Sequence, residues 1–221
     1  MSAATPKPFS LPKIQWALLV IVLFHAVGAA GFLWVKTVPL FIRLVPFHLL
    51  LMLGVLLAVH QPKSRRFFGI MVLIMLAGWT VELAGVRTGA IFGEYRYGAT
   101  LGLKVLDIPL MIGVNWFLLV YSAAAIVQRL IPANRLVQAL AGAALLVLID
   151  ALIEPAAICF DYWSWADAVP PLKNYTAWFA ISFVFLYTYV QSGIRSRFAT
   201  GCTLYLAQLA FFAALLIGST C

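Results

Sequence analysis

Seven long apolar stretches, separated by more polar connections, constrain the fold of this chain more than any other feature. They lie at about residues 14–35, 40–60, 67–86, 106–129, 136–158, 175–193 and 202–219. A helix needs roughly 20 mostly apolar residues to cross a bilayer, and each stretch has about that length. Only 10% of the 221 residues are charged and 64% are hydrophobic, which excludes a soluble globular enzyme, a disordered chain and a nucleic-acid-binding module. We predict an all-α polytopic membrane helical bundle with about seven transmembrane helices, forming one integral membrane domain over residues 1–221.

The basic residues predict the orientation of this bundle. The first apolar stretch continues through Trp34, so we interpret it as a retained helix rather than a cleaved signal peptide. With the N-terminus inside, the inner segments hold nine basic residues and no acid, as the positive-inside rule requires. These nine residues are Lys7, Lys13, Lys63, Arg65, Arg66, Arg129, Arg135, Arg195 and Arg197.

All seven acidic residues fall toward the opposite, outer side. They are Glu82, Glu94, Asp107, Asp150, Glu154, Asp161 and Asp167. Two segments that lack helical periodicity, residues 86–105 and 160–174, belong to the same side. Ionisable residues within membrane helices are costly and commonly functional, so we expect chemistry at this outer end, with the two segments folded over it.

Asp150 and Glu154 are the first candidates for catalysis. They are four residues apart in the fifth apolar stretch, and they therefore share one face of a helix. Two carboxylates this close in a low dielectric do not both ionise, so we expect at least one to stay protonated and to serve as a general acid. Pro155 follows directly and leaves the Ala151 carbonyl without its helical partner. The alternative is that both acids form ion pairs with basic residues, namely Arg87, Arg96 or Lys104.

Three further polar residues are weaker catalytic candidates. Glu82 ends the third apolar stretch and has an ion pair with Arg87 or Arg96 as its alternative role. Asp107 precedes Ile108-Pro109, a pattern that also predicts a helix N-cap. Asn115 lies within the fourth stretch, where it either ties two helices together or orients an acid or a water molecule.

Aromatic residues are dense around the two outer segments. An interfacial aromatic belt explains several of them, but some are also suited to line a pocket for a long polyene and to stabilise a carbocation. Tyr95 and Tyr97 alternate, so they point the same way in an extended chain. The candidate substrate-binding residues are Phe92, Tyr95, Tyr97, Trp116, Trp163, Trp165 and Trp178.

Two blocks of this sequence resemble the CruF-type carotenoid hydratases, integral membrane proteins of carotenoid biosynthesis. The first block covers residues 82–97, followed by Leu101-Gly102, Ile108-Pro109-Leu110 and Asn115-Trp116-Phe117. The second runs from Asp150 through Glu154-Pro155 to Trp163-Ser164-Trp165, Pro171, Asn174 and Trp178. One position departs from the family pattern, which usually has aspartate where this chain has Glu154. The extra methylene changes the reach of that carboxylate and leaves substrate preference open.

The resemblance implies hydration of a terminal ψ-end double bond to a tertiary 1-hydroxy group. The implied partner is a hydrophobic polyene of the lycopene or γ-carotene type, taken from a bacterial or archaeal cytoplasmic membrane. It implies no metal and no other cofactor, and it leaves the oligomeric state open. A membrane carotenoid cyclase or isomerase is the alternative, because it uses the same protonation without adding water. A carotenoid carrier or small-solute transporter is a third hypothesis, although no inverted repeat supports it.

Overall fold

Seven helices make up most of the described chain in this computed structural model, which describes residues 12–131 and 134–218. The helices are α1 (Lys13–Leu33), α2 (Val38–Val59), α3 (Arg65–Thr88), α4 (Leu110–Leu130), α5 (Arg135–Cys159), α6 (Leu172–Gln191) and α7 (Phe198–Gly218). Six of them are long and apolar enough to cross a membrane. The exception is α6, which has 20 residues but carries more polar side chains, including Lys173, Asn174 and Gln191. The predicted helical bundle is confirmed, whereas Lys7 lies outside the described residues.

Helix α4 occupies the centre of the bundle. It packs against α2, α3, α5, α6 and α7, and its residues from Trp116 to Ala125 are all buried. By contrast, α1, α2 and α3 each present large apolar side chains on the surface, such as Leu23, Phe47 and Leu76. Large exposed apolar side chains along long helices fit a protein whose surface contacts lipid tails rather than water.

Four short strands lie together at one end of the bundle, which we call the outer end. Strand β1 (Tyr95–Tyr97) pairs antiparallel with β4 (Trp163–Trp165), and β2 (Lys104–Val105) pairs antiparallel with β3 (Ile108–Pro109). The β1–β4 pair joins the two segments that were predicted to lie on the outer side, residues 86–105 and 160–174. It places Tyr95 opposite Trp165 and Tyr97 opposite Trp163. Because side chains alternate along a strand, all four rings share one face of this small sheet.

One sequence prediction at this end is wrong. Asp107 does not cap α4, whose N-cap residue is Pro109. Instead, Leu106 and Asp107 form the tight turn between β2 and β3, with φ of 52° and 69°. Two successive residues with positive φ are typical of a two-residue hairpin turn, and this turn delays the start of α4 to Leu110. Helix α3 also continues to Thr88, where Gly89 ends it with φ of 62°.

Candidate active site

Glu82 lies on α3 below the β1–β4 sheet and accepts three hydrogen bonds. The hydroxyl groups of Tyr95 and Tyr97 donate to its Oε2 over 2.6 and 2.7 Å. The indole of Trp116 on α4 donates to its Oε1 over 3.0 Å. Burial, and then the neighbouring Glu82, raise the pKa of both tyrosines above the ordinary value. Both hydroxyl groups therefore remain donors well into alkaline pH. As predicted, Tyr95 and Tyr97 point the same way.

Glu154 on α5 is held by the other strand of the same sheet. The indole nitrogens of Trp163 and Trp165 donate to its Oε2 over 3.0 and 2.9 Å. Its Oε1 accepts a hydrogen bond of 3.2 Å from Asn174 Nδ2 on α6. The paired strands thus bring four aromatic donors to two carboxyl groups, the tyrosines to Glu82 and the tryptophans to Glu154.

Asp150 lies one turn deeper on the same face of α5 and is fully buried. Its Oδ2 accepts a hydrogen bond of 3.0 Å from Asn174 Nδ2. Its Oδ1 is buried without a hydrogen-bond partner among the described residues. A buried polar atom normally has a partner, so Oδ1 is the atom of this cluster best placed to interact with water or substrate.

No cation neutralises these three carboxyl groups within residues 12–131 and 134–218. The three basic residues that were candidate ion-pair partners contact other groups. Arg87 forms an exposed ion pair of 3.4 Å with Asp107, Arg96 donates to Ser164, and Lys104 donates to the Tyr97 carbonyl. The predicted alternative of ion pairs is therefore wrong, because each of these cations contacts a different group.

A small pocket of about 20 Å³ lies between the carboxyl groups. It is large enough for one water molecule and offers several polar partners. The lining residues are Glu82, Phe92, Tyr95, Tyr97, Ile112, Asn115, Asp150, Ile153, Glu154, Trp163, Trp165, Asn174 and Trp178.

A second, apolar cavity of about 290 Å³ adjoins this pocket. The two share four wall residues, Ile112, Asn115, Ile153 and Trp163. The cavity runs between α1, α2 and α7, and its wall includes Phe24, Val27 and Phe47, which are also exposed on the bundle surface. An apolar space therefore extends from the lipid-facing surface to residues that also line the pocket of the carboxyl groups.

Most of the candidate residues predicted from the sequence lie together at this site. Glu82, Asn115, Asp150 and Glu154 line the small pocket with six of the seven nominated aromatics. The seventh, Trp116, does not line the pocket. Its ring stacks on Trp178 with centroids 4.1 Å apart, and its indole nitrogen donates to Glu82. Asp107 does not join them, since its side chain is 81% exposed in the hairpin turn.

Asn115 has no hydrogen bond to another described residue, so the predicted tie between two helices is not formed. It lies half-buried in the wall between the pocket and the cavity. No local sequence pattern predicted a role for Asn174, although this residue bridges two of the acids. No pattern predicted the apolar cavity either, because the residues on α1, α2 and α7 that line it are of the same type as those that face lipid.

Among the described residues, no group of three His, Cys, Asp or Glu side chains is arranged to ligate a metal ion.

Comparison with known proteins gives a family for this chain. It is 31% identical to the bisanhydrobacterioruberin hydratase of Haloarcula japonica over 147 residues, which are 61% of this chain and 50% of that protein. The alignment thus spans about half the length of this relative. No solved structure matches the chain significantly. Residues 37–220, well over half of the sequence, match the family described as carotenoid biosynthesis protein, and the chain therefore belongs to the carotenoid biosynthesis protein family.

Proposed function

We propose that this protein is a carotenoid hydratase that adds water across the terminal double bond of a ψ-end group. The observation that carries the proposal is the position of Asp150. This carboxyl group lines a pocket the size of one water molecule, and its Oδ1 has no partner among the described residues. An acid beside a water site, at the end of an apolar cavity, is what hydration of a hydrocarbon requires.

The polyene enters from the bilayer through the apolar cavity. The exposed side chains of Phe24 and Phe47 mark its opening on the lipid-facing surface. A hydrocarbon end group loses little by moving from lipid into this space, and it leaves the rest of the chain in the membrane. The wall shared by Ile112, Asn115 and Ile153 then brings the terminal double bond next to the carboxyl groups.

Asp150 is the general acid in this scheme. Glu82 and Glu154 each accept three hydrogen bonds, an arrangement that suits ionised carboxylates. Asp150 accepts only one, which leaves its Oδ1 to carry the proton. Transfer of that proton to carbon 2 of the end group consumes the double bond and leaves a tertiary cation at carbon 1.

Water captures the cation and completes the addition. A lone pair of the water oxygen forms the bond to carbon 1, and the resulting oxonium group loses one proton to a carboxylate of the cluster. Glu154 lies one helical turn from Asp150 and shares Asn174 with it, so it is the base that we assign. The rings of Trp163 and Tyr97 shield the cation. Return of the proton from Glu154 to Asp150 restores both carboxyl groups, and the sum is one alkene and one water giving one tertiary alcohol, with no electrons exchanged.

Expression of the chain in a host that makes lycopene tests this function. We expect a new carotenoid that gains the mass of one water molecule per reacted end, detected by liquid chromatography and mass spectrometry. A product of unchanged mass and altered retention would instead identify the alternative, a cyclase or isomerase, in which the cation loses a proton before water adds. No new product from an intact, membrane-inserted protein would reject both.

A further inference from the structure

Two buried polar side chains in the apolar cavity have no role in the acid chemistry. His25 on α1 and Gln208 on α7 both line the cavity and are only 6% and 7% exposed. Gln208 Oε1 has no hydrogen-bond partner in the described parts of the chain. A cavity that served only a hydrocarbon would leave Gln208 Oε1 unpaired at a cost, since buried polar groups need partners.

The hydrogen bond of His25 defines what this ring can bind. Its Nδ1 lies 2.8 Å from the Ile21 carbonyl oxygen. A carbonyl only accepts, so Nδ1 carries the hydrogen, and in the neutral ring Nε2 is then an acceptor. The ring of His48 packs edge-on against it with centroids 4.6 Å apart. These contacts fix the ring in the wall of the cavity.

The remaining lining restricts the class of ligand further. The other cavity residues are apolar or aromatic apart from His48 and Asn115, and none carries a fixed charge. A charged ligand group is too costly to bury in such a space. A hydroxyl group can donate to His25 Nε2 and can exchange a hydrogen bond with either end of the Gln208 amide. A ketone, which only accepts, has no such match with Nε2.

We propose that His25 and Gln208 form a polar subsite for a hydroxyl group on the carotenoid end group bound in the apolar cavity. This inference rests on the proposed function for the class of ligand. The hydroxyl belongs either to the substrate as it enters or to the product that the reaction forms. In both cases the subsite favours an oxygenated end group over the corresponding hydrocarbon.

Equilibrium binding to the purified full-length protein tests the subsite, and the Asp150→Asn background prevents hydration of lycopene during the titration. Quenching of tryptophan fluorescence is followed as lycopene or its 1-hydroxy derivative is added. We expect the hydroxylated ligand to bind about tenfold more tightly, the usual size of one buried hydrogen bond. Gln208→Met in the same background should bring the two affinities close together. Leu51→Met, at another lining position of the cavity, should keep the preference of the parent protein for the hydroxylated ligand.

Equal affinities for the two ligands in the Asp150→Asn protein overturn the subsite, because a protein that binds lycopene has its cavity formed. An unchanged preference in Gln208→Met overturns it as well. Hydration of lycopene by the wild-type protein is scored separately, so failure of the proposed function is distinguishable from failure of the subsite. Competitive inhibition by the 1-hydroxy product identifies the product hydroxyl as the ligand. A higher kcat/KM for an end group that has both a hydroxyl and the reacting double bond identifies the substrate hydroxyl.

Discussion

Asn174 on α6 donates a hydrogen bond of 3.0 Å to Asp150 on α5, although 24 residues separate them. The same amide nitrogen lies 3.2 Å from Glu154 Oε1, so one NH₂ group serves two carboxyl groups. The amide thereby holds both acids at a fixed separation and directs the unpartnered Asp150 Oδ1 away from α6. Asn174 is therefore a positioning residue in the proposed reaction.

Replacement of Asn174 by leucine should slow hydration and leave polyene binding largely intact. The variant removes the two hydrogen bonds that position the carboxyl groups, and we expect kcat to fall about 10- to 100-fold, which corresponds to about 1.4–2.7 kcal/mol of lost transition-state stabilisation. Thr176→Val on the same helix is the control, since its hydroxyl bonds only to the Lys173 carbonyl at the surface. Wild-type kcat in Asn174→Leu would show that the amide has no positioning role.

Replacement of Asp150 by asparagine should abolish hydration. The side chain keeps its size but cannot supply the proton, and we expect a loss of at least about 10²-fold, as for removal of a positioned general acid. Asp167→Asn is a matched control, because Asp167 is an exposed loop residue. The measurement is product formation per folded protein in membranes. Substantial hydration by Asp150→Asn would show that Asp150 is not the general acid and would point to Glu82 or Glu154 instead.

Local spacing accounts for the parts of the site that the sequence predicted correctly. Four residues make one helical turn, so Asp150 and Glu154 had to share a face, and alternation along a strand placed Tyr95 and Tyr97 together. The pairing of β1 with β4 and the contact of Asn174 with Asp150 are long-range, and no local pattern reports them. The error at Asp107 has the same origin, since the motif before Pro109 fits both a helix cap and a hairpin.

Asp107→Asn tests this correction directly. The side chain lies in an exposed turn and contacts Arg87 over 3.4 Å, so an exposed pair of this kind should contribute at most about 1 kcal/mol to stability. We expect hydration within about twofold of wild type. A loss of hydration activity comparable to that of Asp150→Asn would show that Asp107 takes part in catalysis, and it would contradict the placement of the hairpin.

Gly78 permits the close approach of Trp116 to α3. A Cβ atom at this position would lie 2.6 Å from Trp116 Cδ1, whereas at Gly69 on the same helix it would meet nothing within 4 Å. Gly78→Ala should therefore displace the indole that donates to Glu82 and lower both thermal stability and hydration. Overpacking of this kind costs about 1–3 kcal/mol. Gly69→Ala should be neutral or slightly stabilising, because alanine has the higher helix propensity. Equal behaviour of the two variants would contradict the packing.

The raised pKa of Tyr97 predicts how stability depends on pH. Its pKa is well above 10 in the folded protein because of burial and the neighbouring Glu82, whereas in the unfolded chain it is about 10. The unfolded state therefore releases this proton first. Stability is full below about pH 10 and falls as the pH rises above that value.

Tyr97→Phe should make this alkaline decline shallower. The variant should also be less stable at neutral pH, because it removes one hydrogen bond to Glu82. Thermal unfolding followed by circular dichroism between pH 7 and 11 measures both effects. Tyr187→Phe on the exposed surface of α6 is the control. An alkaline decline of unchanged slope in Tyr97→Phe would show that this tyrosine does not carry the effect.

Ile153 forms part of the wall between the apolar cavity and the acid pocket. Phenylalanine at this position should narrow the junction and keep the end of the polyene away from Asp150, because Ile153 lines both spaces and a larger ring takes up room that the end group needs. We expect kcat for hydration to fall about tenfold or more, while fluorescence quenching by lycopene persists since most of the cavity is unchanged. Leu148→Phe on the same helix is the control, because Leu148 is 52% exposed on the bundle surface. Normal hydration by a folded Ile153→Phe protein would mean that the polyene reaches the carboxyl groups by another route.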